Sequence, residues 1–215
     1  AFVVPQSVKF EAGKKQASFK VTFDKANPGV TYNLEIAVDD AYVNPYSAAT
    51  YKSYAYDVTR VKWNSIGIGT WYDGFWYGFE EDVEIFQRDD IPTCYRVMSP
   101  YTDERAIADE GEPSGYQGWL VFNVTNGDFV KYDYISVNVY YPETTKAVVG
   151  YHPAYIESLD PSNFKGAGDE YSKLSKVQRD DKEAIAWFEI NPYWYVFGLG
   201  GWGCEYPCYL VFPGH

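Results

Sequence analysis

The chain has 215 residues, of which 20% are aromatic, with 22 tyrosines and a single methionine. Its 30 acidic and 18 basic residues give a formal charge of −12 at pH 7, a field that repels phosphate backbones and anionic lipid heads and so argues against nucleic-acid and membrane-surface partners. No apolar run approaches the ~18–20 residues of a membrane helix, so no membrane insertion by this chain is expected, and the aromatic-rich, helix-poor composition favours strands.

The chain opens directly in strand-like sequence, AFVVPQSVKF, without an initiator Met. The expectation is a mature or trimmed segment, with any targeting segment or lipid anchor lying upstream. Residues 1–62 form one compositional unit. Ser7–Phe10 reads as a short strand before the polar turn Glu11–Lys15. From Ala17 to Asp24 the alternation is regular, with Ala17, Phe19, Val21 and Phe23 on one face. Asn27-Pro28-Gly29 is a turn signal, after which Tyr32, Leu34, Ile36 and Val38 line one face of a strand over Thr31–Asp39. A fourth strand is expected within Tyr51–Val61.

Residues 63–215 form the second unit, and its densest stretch is Trp63–Tyr101. Between Gly67 and Gly78, the rings of Trp71, Tyr72, Phe75, Trp76 and Tyr77 exceed what one strand face can bury, and this part reads as a glycine-punctuated loop. Either the rings plug a junction between sheets or some are presented to a ligand. Val83 and Ile85 then alternate with Glu84 and Phe86. Asp89, Asp90 and Pro92 interrupt the run before Tyr95 and Val97 resume it, as in two antiparallel strands joined by a turn. Downstream, DERAIADEGEPSG holds at most one helical turn. Trp119–Thr125, Tyr134–Tyr141 and Ala147–Tyr151 read as strands, with Asn126-Gly127-Asp128 a hairpin signal. Glu157–Asp181 loses its period, with Asp160-Pro161-Ser162 a turn and Tyr171, Leu174 and Val177 spaced as in a short helix. Strands return at Ala184–Ile190, Tyr193–Phe197 and Tyr209–Phe212. The four residues Gln87–Asp90 recur at Gln178–Asp181, which reads as shared turn chemistry and not as a repeat architecture.

Two sets of residues carry a resemblance. Val4-Pro5-Gln6-Ser7-Val8-Lys9-Phe10-Glu11-Ala12-Gly13, followed by Tyr32-Asn33-Leu34-Glu35-Ile36, resembles the later strands of Calx-beta-like, immunoglobulin-type modules in surface lipoproteins of Bacteroides-like gut bacteria. Trp63-x-x-Ile66-Gly67-x-Gly69-Thr70 and Tyr95-Arg96-Val97-x-x-Pro100-Tyr101 are similar to an element that begins the C-terminal β domain of the same lipoproteins. Such modules have about seven strands, of which four are legible here, so the resemblance implies a unit lacking its first strands. It further implies an extracytoplasmic place, at the cell surface or in the periplasm of a Gram-negative bacterium. Some calcium-binding relatives use acidic loop residues, and Asp39 and Asp40 are the nearest candidates. Two adjacent carboxylates fall short of the ~6–8 oxygens that calcium takes, and a solvated loop is the better reading.

Motifs of catalysis are sparse. The two histidines, His152 and His215, have no nucleophile beside them in sequence, and GxSxG, HExxH and Walker patterns are absent. Gly198-Leu-Gly200-Gly-Trp-Gly203 satisfies GxGxxG formally, but Cys204-Glu-Tyr-Pro207 follows where a phosphate-binding helix would have to start. These glycines read as turn residues between the last two strands. Cys94, Cys204 and Cys208 lack the CxxC spacing and the partners of a zinc or redox site, and are expected as free thiols, with a Cys204–Cys208 or Cys94 link the alternative. Asn123-Val124-Thr125 fits a glycosylation sequon but falls on an expected strand. Paired acids for glycoside hydrolysis are available among Glu80, Glu81, Asp82, Asp89, Asp90 and Glu205, as they would be by chance among so many acids.

The remaining signal is aromatic. Tyr193, Trp194, Tyr195, Trp202 and Tyr206 crowd the C-terminal glycines as Trp71–Tyr77 crowd the earlier ones. Rings on such loops suit the C–H faces of sugars, with Asp73, Glu80 or Asp89 accepting from the hydroxyls. The expectation is an all-β chain: a partial Ig-like β-sandwich at 1–62, then an aromatic-rich antiparallel β-sandwich or barrel-like domain at 63–215. Its expected function is non-catalytic, binding glycan or another extracellular ligand through Trp71, Tyr72, Trp76, Tyr77, Trp194, Tyr195 and Trp202, without cofactor or metal. The partner would be a polysaccharide or a surface protein. A structural or adhesive protein with buried rings is the alternative, and a glycoside hydrolase the third.

Overall fold

The structure is a computed structural model and describes residues 2–37, 53–159, 171–203 and 206–215. The protein is all-β, with antiparallel sheets and, among the described residues, two short helices. It divides into two compact units, Ala1–Lys62 and Trp63–His215.

The first unit holds one two-stranded antiparallel sheet, β1 (Thr31–Ala37) with β2 (Ser53–Thr59), in register from Thr31↔Thr59 to Ala37↔Ser53. Phe2 stacks on Phe23 at 4.4 Å and Tyr32 meets Phe23 edge-on at 5.1 Å, while Val3 and Thr22 form an isolated bridge. The strands expected at Ser7–Phe10 and Ala17–Asp24 do not form among the described residues. Alternation marks an extended chain with two faces, but a strand also needs a neighbour to take its amides and carbonyls, and here that pairing is confined to one bridge. Asp39 and Asp40 lie outside the described residues.

The second unit begins with β3 (Trp63–Asp73) and β4 (Phe79–Arg88), followed by β5 (Cys94–Met98) and helix α1 (Asp103–Ala108). Next come β6 (Trp119–Thr125), β7 (Phe129–Lys131), β8 (Tyr134–Tyr140) and β9 (Ala147–Tyr151). Helix α2 (Pro153–Leu159) leads towards β10 (Lys173–Arg179) and β11 (Lys182–Ile190). The chain ends with β12 (Tyr193–Val196), β13 (Gly200–Trp202) and β14 (Cys208–Val211). Eight strands close a barrel in the order β10-β11-β14-β3-β4-β5-β6-β7, and a separate four-stranded sheet runs β13-β12-β9-β8. Closure is thin, through the single register pair Lys173↔Phe129 flanked by Val130 N–H to Ser172 O at 2.8 Å and Leu174 N–H to Asp128 O at 2.9 Å.

Three expectations are corrected in this unit. The glycine-rich start at Trp63 is a long strand and not a loop, because its glycines admit a neighbouring backbone. A Cβ on Gly69 would stand 2.2 Å from the Val211 carbonyl oxygen and 2.6 Å from Ile85 Cδ1. The helix suggested by Tyr171, Leu174 and Val177 does not form: Lys173–Arg179 is strand β10, paired along its length with β11, where Ala186 is the extra residue of a bulge opposite Ser175 and Lys176. Of the C-terminal glycines, Gly198 makes the turn at φ +75°, whereas Gly200 and Gly201 belong to β13. The recurring Gln-Arg-Asp-Asp does mark two hairpins. Asp180 and Asp181 both take positive φ, +47° and +61°, in a two-residue turn of the I′ kind, and Arg88 pairs with Asp90 at 2.6 Å.

One core runs through this unit. From the barrel come Trp71, Ile85, Val97, Phe122, Phe188 and Leu210, and from the inner face of the four-stranded sheet come Ile135, Val137, Val148, Trp194 and Val196. Among the described residues no helix is long and apolar enough to cross a membrane. Gly69→Ala should cost about 1–3 kcal/mol or more, since its Cβ meets backbone that cannot swing aside. Urea unfolding of the variant tests this, and an unchanged midpoint would contradict the barrel register.

Candidate functional site

The rings of the second unit are organised by a carboxylate. β3 and β4 pair as far as Asp73↔Phe79, so residues 74–78 must reverse the chain. Asp73 is fully buried at the end of β3 and accepts three backbone hydrogen bonds, from the N–H groups of Phe75 (3.1 Å), Trp76 (3.1 Å) and Tyr77 (2.7 Å). A short acidic side chain reaches the amides just ahead of it in this way, and a charged acceptor makes such bonds strong. The Cys208 thiol donates to Asp73 at 3.9 Å and lies 3.7 Å from the Tyr101 hydroxyl. Burial, and then the Asp73 charge, push the Cys208 thiol far up, and burial does the same to the Tyr101 phenol. Both stay protonated. The expectation that Asp73 accepts from sugar hydroxyls is therefore corrected: its oxygens serve the backbone and are closed to solvent.

The sequence-predicted rings separate into three sets. Trp71 and Trp194 are 0% exposed, and neither presents a face to a ligand, which corrects their assignment. Trp71 points inward between Gly69 and Asp73 and packs against Phe122 and Tyr101, each at 6.2 Å. Trp194 lies over Gly150, where a Cβ would stand 2.8 Å from its ring. Trp76 and Tyr77 are half-buried, and the Tyr77 hydroxyl donates to Val137 O at 3.2 Å. Burial, followed by the nearby Asp109 charge, raises Tyr77 to about 12. Tyr72 and Tyr195 face outward, Tyr72 beside Tyr209 at 6.0 Å. The backbone of Trp202 pairs with Trp194, but its side chain lies outside the described residues, as do Cys204 and Glu205. Phe75 joins two elements, stacking on Trp194 at 6.0 Å and under exposed Tyr206 at 4.7 Å.

The outer face of the four-stranded sheet collects rings that composition alone left scattered. Tyr134, Tyr151 and Tyr193 are register partners on the adjacent strands β8, β9 and β12. Tyr195 follows Tyr193 on the same face, with ring centroids 6.4 Å apart and planes 33° apart, and Phe197 meets Tyr195 edge-on at 6.0 Å. Tyr155 of α2 adds a ring 4.9 Å from Tyr151. Tyr134 is 51% and Phe197 68% exposed. Glycine again permits the arrangement, since a Cβ on Gly201 would lie 2.5 Å from the Tyr193 ring and 2.9 Å from the Tyr195 ring. A cavity of about 480 Å³ opens on this face, walled by Tyr116, Tyr134, Val149, Tyr151, Tyr195 and Phe197. The sequence reading missed Tyr134, Tyr151 and Phe197 as site residues. The usable signal was the alternation Tyr193, Tyr195, Phe197 against inward Trp194 and Val196.

The candidate acids are dispersed in role. Glu81 pairs with Arg105, whose guanidinium lies 3.5 Å from the centre of the Phe79 ring. Asp89 accepts from Asn64 at 2.7 Å, Asp90 binds Arg88, and Glu80 and Asp82 are exposed. His152 is buried beside Tyr132 and accepts the Ala154 N–H at Nδ1 (3.2 Å) at the start of α2. Cys94 and Cys208 are free, buried thiols, which removes the alternative links that would use either. Among the described residues no group of three or more His, Cys, Asp or Glu is placed to hold a metal. Set against protein-family models, curated proteins and solved structures, the chain shows no match.

Asp73→Ala strips three amides of their acceptor, and at about 1–3 kcal/mol for each buried group left unpaired the variant should lose about 3 kcal/mol or more in urea. A loss under ~1 kcal/mol would show that the loop holds without its clamp. Tyr77 gives a pH dependence. Its folded-state pKa lies above the unfolded ~10, so between pH ~10 and 12 the folded state binds more protons and stability falls as pH rises. The difference between wild type and Tyr77→Phe, followed by alkaline absorbance titration, should show one phenol ionising near 12, and ionisation near 10 would contradict its burial.

Proposed function

We propose that this protein is a non-catalytic binding module whose ligand is a polysaccharide, taken up on the tyrosine face of the four-stranded sheet. The observation that carries this reading is the in-register row Tyr134, Tyr151 and Tyr193, with Tyr195 and Phe197 beside it. Neighbouring strands lie ~4.8 Å apart, so the row spans about 10 Å, long enough to underlie more than one sugar ring. Each tyrosine offers an apolar ring for sugar C–H groups and a hydroxyl that both donates and accepts. With only two side-chain torsions, it also loses little entropy on contact. An extracytoplasmic place and an Ig-like character for residues 1–62 belong to the same reading, and rest on the resemblance of residues 4–13 and 32–36 to surface-lipoprotein modules.

A structural or adhesive role is the second reading. It is favoured by exposed Ile68, Met98, Trp119 and Val121 on β3, β5 and β6 of the barrel, because grouped apolar surface of this kind marks protein contacts.

Affinity electrophoresis of the intact chain through a panel of soluble polysaccharides separates the two. Retardation by at least one polysaccharide is expected, weakened about tenfold or more in the double variant Tyr195→Ala/Phe197→Ala, since stacking on a ring is worth ~1–3 kcal/mol in comparable cases. Trp119→Ala should leave it unchanged. Uniform mobility across a broad panel would overturn the glycan reading and favour the adhesive one.

A further inference from the structure

Arg96 lies on the outer wall of the barrel, at the middle of β5, in register with Phe86 of β4 and Val121 of β6. Rings from three strands surround its guanidinium, whose carbon lies 4.3 Å from the centre of the Trp63 ring, 3.8 Å from that of Trp119 and 5.5 Å from that of Phe86. Arginine suits such a place, because its planar, weakly hydrated cation stacks on aromatic faces and keeps its N–H edge for an acceptor. Among the described residues no protein oxygen takes that edge. The Arg96 Nε is buried without a hydrogen-bond partner, whereas Arg60, Arg88, Arg105 and Arg179 each donate to a carboxylate or carbonyl oxygen.

The acids of the neighbouring strand and turn are committed elsewhere. Glu84 accepts from Ser65 at 2.6 Å, Asp89 from Asn64 at 2.7 Å and Asp90 from Arg88 at 2.6 Å. Burial holds Arg96 below the usual arginine range, with no carboxylate contributing. In a chain of 30 acidic residues, a half-buried cation kept clear of them fits a carboxylate from another molecule, because a planar fork of donors matches that group and a desolvated charge gains most from a partner. The surface beside it is apolar, with Ile68, Met98, Trp119 and Val121 exposed. Trp, Met and Arg are enriched at the cores of protein interfaces, and Trp and Arg are frequent among their decisive contacts. The patch also ends on open backbone. Ser99 N–H bonds Gly118 O and Val124 N–H bonds Thr93 O, so by antiparallel alternation Leu120 and Phe122 turn their amides to β5, and Trp119 and Val121 turn theirs to the other side. There β7 pairs only with Asn123–Thr125. An extended polypeptide supplies the alternating N–H and C=O groups that such an edge takes, and a polysaccharide does not.

We infer that this wall of the barrel docks a second protein, through an extended segment that sets a carboxylate against Arg96 and packs apolar side chains on Trp119, Met98 and Val121. The inference goes beyond the glycan reading and does not rest on it, since none of these residues lines the cavity of the tyrosine face. One module then carries a sugar on one surface and a protein on another.

The test is selection of a phage-displayed library of random peptides on the intact protein, followed by fluorescence-anisotropy titration with the most enriched peptide in synthetic form. Enriched sequences should share an Asp or Glu flanked by apolar residues. Replacing that acid by its amide should weaken binding about tenfold or more, a measurement that needs no protein variant and so does not depend on how a variant folds. Arg96→Gln should weaken the acidic peptide by a similar factor and make the acid and amide peptides equal, while Arg96→Lys, which keeps the charge and loses the fork, should fall between. Tyr195→Ala/Phe197→Ala should leave peptide binding unchanged, which separates this surface from the glycan face. Failure to enrich any sequence family, enrichment of peptides without an acid, or equal binding to wild type and a folded Arg96→Gln would each overturn the inference and leave the glycan reading in place. Displacement of the peptide by polygalacturonate at equal carboxylate concentration would also overturn it, and would assign Arg96 to an acidic glycan.

Discussion

The Asp73 carboxylate is the constraint on which the ring arrangement depends. Its three amide hydrogen bonds fix residues 75–77 at the mouth of the β3–β4 hairpin. From there Phe75 inserts between Trp194 and Tyr206, and Tyr77 reaches the backbone of β8. Among the described residues no strand is shared between the barrel and the four-stranded sheet, and these side chains join the two. The inner ring of β12, Trp194, is buried by these contacts, and the outer rings Tyr193 and Tyr195 stay half-exposed on the other face. Burial first, and the Asp73 charge after it, keeps Cys208 and Tyr101 protonated beside this carboxylate.

Much of the fold was legible because much of it alternates. β4, β6, β8 and β9 stand where the residue pattern placed them, and β11, β12 and β14 differ only at their ends. What failed did so for physical reasons. β3 reads as a loop because Gly67 and Gly69 interrupt its pattern, yet those glycines let β14 and Pro213 approach. β10 reads as a helix because Tyr171, Leu174 and Val177 happen to fall three apart, whereas its pairing with β11 and β7 makes it a strand. In the first unit alternation found β1 and β2 but misled at Ser7–Phe10 and Ala17–Asp24, since an amphipathic segment predicts a face and carries no information about its pairing partner.

The site was half legible. Density of rings located the two clusters but could not say which way each ring points. Trp71 and Trp194 sit in the most aromatic stretches and are both fully buried, with Gly150 leaving room for the Trp194 ring. The tyrosine row needed cross-strand register, which relates Tyr134, Tyr151 and Tyr193 across nearly sixty positions and has no local signature. Only the Tyr193-Trp194-Tyr195-Val196-Phe197 alternation was there to be read, with its small and large rings on opposite faces.

The claim that the outer tyrosine face is the ligand surface is tested most directly by aromatic carbon–proton NMR of the intact chain during titration with whichever polysaccharide retards it. The rings of Tyr134, Tyr151, Tyr193, Tyr195 and Phe197 should shift together and saturate at one concentration, with Trp71 and Trp194 unmoved. Shifts confined to Trp119 and its barrel neighbours, with the tyrosine rings silent, would contradict it and move the ligand surface to the barrel wall.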